Sequence, residues 1–306
     1  MRMRTLWTLT SAAVLIVAIA VGGCGDGTSR GSASLSVVAT TTQLADFARA
    51  VGGDRILVTQ LLRPNADPHE YEPIPSDVTA VGEADVIVQH GIGLDEWLDE
   101  VIDNAGGNAK RVTATAGVTL LPGDDEEPAG DPHVWLDPRN AIAMVRTIET
   151  AFAAAAPATA EQFHRNADAY VARIEALDKE LETRISTIPR AKRRIVTDHD
   201  AFGYFAARYG VTVVGTVIPS LSTAAEPSAK ELATLADAIR REGVRVVYSE
   251  ASIDPKLETA LAREAGARLG DPLYGDALGP SDTPAGTYLG MMRSNMDAIV
   301  AGIGQG

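Results

Sequence analysis

Cysteine is almost missing from this chain. Among 306 residues there is one, Cys24, which excludes an internal disulfide and any thiolate-built metal cluster. Basic residues are in deficit as well, with 27 Lys and Arg against 41 Asp and Glu and a formal net charge of −14. A chain this acidic is a poor partner for nucleic acid or anionic lipid, but a reasonable collector of cations at the encounter stage. No His-Glu-x-x-His pair or other compact hydrolase signature occurs, and such pairs are how zinc hydrolases present two imidazoles on one helix face. Histidine itself is scarce, five residues in all. Three of them nevertheless sit in sequences that present an imidazole: Asp67-Pro68-His69, Asp131-Pro132-His133 and Asp198-His199-Asp200. A fourth candidate donor is Asp276, in Tyr274-Gly275-Asp276-Ala277. Donors spread this widely along the chain imply a site assembled by the whole fold and not by a local finger.

The first residues address the compartment. Arg2 and Arg4 form a basic start, Leu6 to Val21 an apolar stretch too short and wrongly flanked for a membrane span, and Val21-Gly22-Gly23-Cys24 a small-residue cleavage site ending in cysteine. This reads as a lipoprotein signal peptide over residues 1–23, with Cys24 as the lipidated first residue of the mature chain. Residues 24–34 are Gly/Ser-rich and read as a flexible tether. The protein is therefore expected on the extracytoplasmic face of the cell membrane, held only by its lipid.

From Leu35 onward, short β-branched runs alternate with segments of helical periodicity, the pattern of an α/β layer with a largely parallel sheet. The first such block, residues 35–137, is an N-terminal lobe. In residues 138–188, Phe163, Ala167, Tyr170, Ile174, Leu177, Leu181 and Ile185 recur at steps of three and four, so one long helix with a continuous apolar face is expected. The alternation restarts in residues 189–306, a C-terminal lobe. Two α/β lobes joined by a single helical rod result, with no solenoid repeat.

Each candidate donor lies just after an expected strand, and in open α/β sheets the crevice beyond the strands' carboxyl ends is where ligands bind. Prolines 68, 132 and 138 stiffen these loops. Any one such histidine also fits an ordinary loop or core position, and the residues alone leave that alternative open.

Val38-Ala-Thr-Thr-Thr, the run from Arg63 through His69 to Asp77, Asp131-Pro-His-Val-Trp-Leu-Asp-Pro-Arg-Asn-Ala, His199-Asp-Ala-Phe-Gly-Tyr-Phe, Thr223-Ala-Ala-Glu-Pro-Ser and Asp271-Pro-Leu-Tyr-Gly-Asp-Ala-Leu-Gly together resemble the zinc/manganese solute-binding lipoproteins of bacterial ABC importers. The match runs through nearly the whole mature chain in order. The resemblance implies two Rossmann-like lobes bridged by one long helix and a buried four-donor metal site formed by His69, His133, His199 and Asp276. It also implies an ABC permease and its ATPase as partners, a monomer, and no catalysis. Three imidazoles and one carboxylate suit Zn2+, whereas Mn2+ prefers more oxygen. Many manganese members carry glutamate where His199 stands, which favours zinc. Many zinc members carry a histidine-rich loop where this chain reads Gly123-Asp-Asp-Glu-Glu-Pro-Ala-Gly, here taken as a solvated acidic loop.

Other residues invite a role. His90 ends a strand without a Pro-flanked motif, and His164 reads as solvent-facing on the long helix. Glu70, Glu72 and Glu250 are candidates to receive an N–H from a metal-bound imidazole, Asp198 and Asp200 to cap the helix after them, and Trp97 and Trp135 to pack. Two rival functions stand beside metal import. A metallohydrolase would need an open coordination position, and a lipid-anchored adhesin is compatible with Cys24.

Overall fold

The computed structural model describes residues 34–304; Cys24, the signal peptide and most of the tether lie outside the described residues. Two four-stranded parallel sheets form the frame, in the orders β2-β1-β3-β4 and β6-β5-β7-β8. The first holds β1 (Leu35–Ala39), β2 (Ile56–Gln60), β3 (Val86–Gln89) and β4 (Lys110–Thr113), with helices α1 (Thr42–Gly52), α2 (Pro75–Gly82) and α3 (Leu98–Ala105). The second holds β5 (Arg194–Thr197), β6 (Thr212–Thr216), β7 (Val246–Val247) and β8 (Arg268–Leu269), with α6 (Gly203–Tyr209), α7 (Ala229–Glu242) and α8 (Lys256–Ala265). Val37, Val38 and Ala39 are all buried, as a strand covered by helices on both faces requires. In each sheet the first strand has a neighbour on either side, so strand order reverses there and leaves a crevice at the carboxyl ends.

Between the lobes run α4 (Pro138–Ala155) and α5 (Ala160–Ser186). Pro138 opens α4, with the Asp137 side chain accepting from Arg139 N–H at 2.9 Å. The 27 residues of α5 make a rod of about 40 Å, and all seven residues that spacing singled out on it are buried, with Val171 added to the stripe. The last helix, α9 (Tyr288–Gly304), begins against the first lobe: the Tyr288 ring meets Phe47 edge-on at 5.0 Å and its N–H donates to Asp46. One apolar core thus runs behind the cleft from Val37 and Phe47 to Ile195 and Met292, so the lobes share their packing as well as a rod.

Two strands depart from plain apolar periodicity, β4 at a sheet edge and β7 inside its sheet. β4 starts at Lys110, two residues before the apolar run, because an edge strand carries exposed charge where periodicity looks for apolar residues. β7 is reduced to Val246–Val247, with a single parallel bridge from Glu250 to Leu273 further on; the chain leaves the ladder early to place Glu250 beside the crevice.

Candidate metal centre

Two of the three histidine loops share one local device. In Asp67-Pro68-His69 and Asp131-Pro132-His133 the aspartate carboxylate accepts the histidine's own backbone N–H, at 2.9 Å in each case. Aspartate mimics a turn in this way, and the intervening proline fixes φ without offering a competing donor. The first loop follows β2. Asn65 takes a left-handed φ of 54°, a conformation asparagine tolerates, and its N–H donates to Leu278 O of the other lobe at 3.0 Å. Asp67 then uses its second oxygen to accept from Thr223 Oγ1, also across the cleft, at 2.6 Å. His199 leaves the end of β5, where Thr197 Oγ1 donates to its carbonyl. Asp276 is held by its backbone: Gln43 Nε2 donates to its carbonyl, Trp135 Nε1 to the carbonyl of Gly275, and the Gly275 N–H to Glu250.

These loops bring one donor atom from each of His69, His133, His199 and Asp276 within 4.8 Å of one another. Asp276 Oδ1 lies 3.2 Å from His199 Nε2, 3.3 Å from His133 Nε2 and 3.9 Å from His69 Nε2. The Nε2 atoms of His133 and His199 are 3.3 Å apart. Ligands at zinc bond lengths of about 2.0–2.1 Å on a tetrahedron stand about 3.3–3.4 Å from each other; His133, His199 and Asp276 already match those edges, while His69 stands further out. His69 Nε2 and both Asp276 oxygens are buried without a hydrogen-bond partner among the described residues. Buried polar atoms are almost always satisfied; their convergence on one point is what a cation would satisfy.

Each imidazole has a carboxylate behind it. Asp131 Oδ1 is 2.8 Å from His133 Nδ1, Asp198 Oδ1 3.3 Å from His199 Nδ1, and Glu127 Oε1 3.4 Å from His69 Nδ1. A proton on each Nδ1, donated to its carboxylate, leaves all three Nε2 lone pairs facing the centre. In the metal-free cluster these charges compete with burial. Burial lowers His133, but the Asp131 hydrogen bond and the nearby charge of Asp276 outweigh it and raise the group to about 9. His199 is likewise raised well above the usual imidazole range, burial being overcome by the charge of Asp276 and by Asp198. Asp276, which burial alone would raise, is held well below the carboxylate range by His199 and His133. Glu250 is pushed far up by burial and by the charge of Asp276. Beyond Asp198 lies Glu258, almost fully buried in the first turn of α8 and raised to about 8 by burial and its contact with Asp198.

Several outer residues fall elsewhere than the sequence reading put them. Glu70 and Glu72 are exposed; the carboxylate at His69 comes from the acidic loop, through Glu127, which a reading of that loop as solvated charge missed. Its only signal was its place at the end of the acidic run, just before Pro128, too weak to separate it from its neighbours. Glu250 lies beside the cluster, but it accepts the Gly275 backbone N–H and not an imidazole. Asp198 and Asp200 do not cap: His199 occupies the position before the turn Asp200–Phe202, without a side-chain bond, and Asp198 turns to the imidazole instead. His90 is wholly buried beneath the site, its Nε2 donating to Pro132 O at 2.8 Å, and burial lowers it to about 4. It stays neutral and supports the His133 loop. His164 is exposed on the long helix as expected, and from there it also bonds Glu149 through Nδ1 at 2.5 Å. Trp135 is core and Trp97 packs its ring, tilted, against Tyr71 with centroids 4.7 Å apart, both packing roles.

Comparison with known proteins agrees with this architecture. The manganese-binding lipoprotein MntA of Bacillus subtilis is 35% identical over 300 residues, covering 94% of this chain and 96% of that one. The iron-binding protein YfeA of Yersinia pestis is 33% identical over 271 residues, 88% of this chain and 86% of its own. Among solved structures, the periplasmic zinc binding protein TroA from Treponema pallidum superposes with a TM-score of 0.82 at 30% identity, covering 88% of this chain and 99% of that one. The three names carry three different metals, so kinship alone does not fix which metal this chain binds. Residues 37–302 match the family profile of the periplasmic component A of the zinc-uptake complex, ZnuA, and the chain belongs to that family of substrate-binding proteins.

Proposed function

We propose that this protein captures a divalent transition metal, Zn2+ in the first place, between its lobes and delivers it to an ABC transporter permease powered by its ATPase. His69, His133, His199 and Asp276 are the proposed ligands. The observation that carries the reading is the convergence of three Nε2 atoms and one buried carboxylate at 3.2–3.9 Å, with the carboxylate's oxygens otherwise unpartnered among the described residues. Three borderline nitrogens and one oxygen in a tetrahedral frame match zinc. Four protein donors fill that tetrahedron and leave no position for a reacting water, as suits a carrier. Anchoring through Cys24 on the extracytoplasmic face and action as a monomer belong to the same proposal.

The test is elemental analysis of protein purified without chelator, followed by competition between Zn2+ and Mn2+. One equivalent of zinc, lost in His133→Ala, is the expected result. A second reading, manganese, draws on Asp276 Oδ2, buried and free of protein partners among the described residues: bidentate binding there would add the oxygen that manganese prefers. Retention of manganese against equimolar zinc would replace the first reading with the second.

A further inference from the structure

Residues 121–131 connect the two lobes over the donor cluster. The segment closes on itself: Asp131 N–H donates to Leu121 O at 3.1 Å, and Gly130 and Asp124 N–H both donate to Glu127 O. A side chain at Gly123 would collide with Glu127 O at 2.0 Å, so the loop is a compact unit. Tyr204 of the second lobe clamps its base, accepting from Leu121 N–H and donating to Asp131 O.

At the tip, Asp124 divides its carboxylate. Oδ1 accepts the loop's own Glu126 and Glu127 N–H at 3.0 and 2.7 Å. Oδ2 accepts Ser220 Oγ at 3.1 Å and Leu221 N–H at 2.7 Å, both in the other lobe. The neighbouring Glu127 is buried, 3.4 Å from His69 Nδ1. It occupies a seat made by Gly93, where a β-carbon would lie 2.3 Å from Glu127 Oε2. His69 as a residue is partly exposed, but its imidazole is only 1% exposed, and Glu127 is the carboxylate that lies against that ring.

We propose that residues 121–131 are a strap over the cargo site, with Asp124 as its clasp and Glu127 as its link to His69, and that opening the clasp sets the rate of metal release. This rests on the proposed metal-binding function. Asp124 acts through Glu127 and touches no ligand, so it is a positioning residue: its loss frees the strap without removing a donor.

The experiment uses the full-length protein in detergent, loaded with Zn2+ or with Co2+ as a spectroscopic probe, and mixed rapidly with excess chelator. Asp124→Ala should release metal roughly tenfold faster, about the factor of one charge-assisted hydrogen bond, with unchanged association rate and cobalt spectrum. Asp125→Ala, an exposed neighbour of equal charge, should leave release at the wild-type rate. Ser220→Ala breaks one of the two contacts, should give a smaller acceleration, and decides the matter if Asp124→Ala fails to fold. Release at the wild-type rate in Asp124→Ala or Ser220→Ala overturns the clasp, as does equal acceleration by Asp125→Ala. A wild type that retains neither metal defeats the underlying function instead.

Discussion

Metal binding here must displace protons at neutral pH, and the structure says how many pH units the effect spans. An isolated imidazole of ordinary pKa, about 6.5, interferes with a metal only in mild acid. In the cluster, Asp131 and Asp276 overcome the effect of burial and raise His133 to about 9 in the metal-free state, and His199 moves the same way. Only the neutral rings can bind, so each proton displaced weakens apparent affinity about tenfold per pH unit below the group's own pKa. For His133 alone the span from pH 9 to pH 6 amounts to about a thousandfold, or about 4 kcal/mol. Titration calorimetry at pH 7 in buffers of different ionisation enthalpy should report release of between about one and two protons per metal. Competition against a calibrated chelator should show affinity rising steadily from pH 6 to pH 9. The same groups act on folding with the opposite sign. A raised imidazole stabilises the metal-free protein below about pH 6.5 and loses that contribution as pH climbs through the folded value, so the metal-free melting temperature should fall between pH 6.5 and 9 while metal affinity rises. Proton release near zero at pH 7, or affinity flat between pH 7 and 9, would refute the charge arrangement derived for the site.

All four proposed donors were candidates in the sequence, but only two owe this to a stiff, local loop, and as one set they came from the family resemblance. Asp-Pro-His encodes its own turn in three residues, and the strand before it supplies the direction, so His69 and His133 stand out without tertiary information. The long helix was legible for a related reason: seven buried residues repeat on one stripe of α5. What stayed hidden depends on contacts between distant segments. Glu127 matters only because its loop folds back onto Gly93 and His69, 34 and 58 positions earlier in the chain. Asp198 resembles a helix cap until the position of His199 is known. The return of α9 to pack Tyr288 on Phe47 has no local signature, since a buried aromatic reads the same whichever lobe receives it. The unperturbed histidine value likewise suggests a loss of affinity only below about pH 6.5; carboxylates placed by three separate loops move that range upward.

Three further outcomes follow from particular residues. Cys24→Ala should move the protein from the membrane fraction to the soluble fraction, and unchanged membrane association would refute the lipid anchor. Glu258, raised to about 8 by burial and Asp198, is protonated at pH 7; a carboxyl raised in this way destabilises the fold as pH rises from its unfolded value toward 8. Glu258→Gln should therefore keep wild-type stability at pH 6 and flatten the decline toward pH 8 in urea titrations, and a large loss at pH 6 would argue against the protonated pair. His199→Glu bears on cargo choice. Glutamate replaces a borderline nitrogen with a hard oxygen. It also removes the Nδ1–H that faces Asp198 Oδ1 at 3.3 Å, leaving two carboxylates together in a buried setting. Zinc loses both its preferred donor and the support behind it, so its affinity should fall by about 100-fold or more, since loss of an outer partner alone costs about 10–100-fold. Manganese gains an oxygen against the same repulsion, so its loss should be smaller and the zinc-to-manganese preference should narrow. Calorimetry with each metal on wild type and variant measures that ratio; an unchanged preference would mean that His199 does not set selectivity.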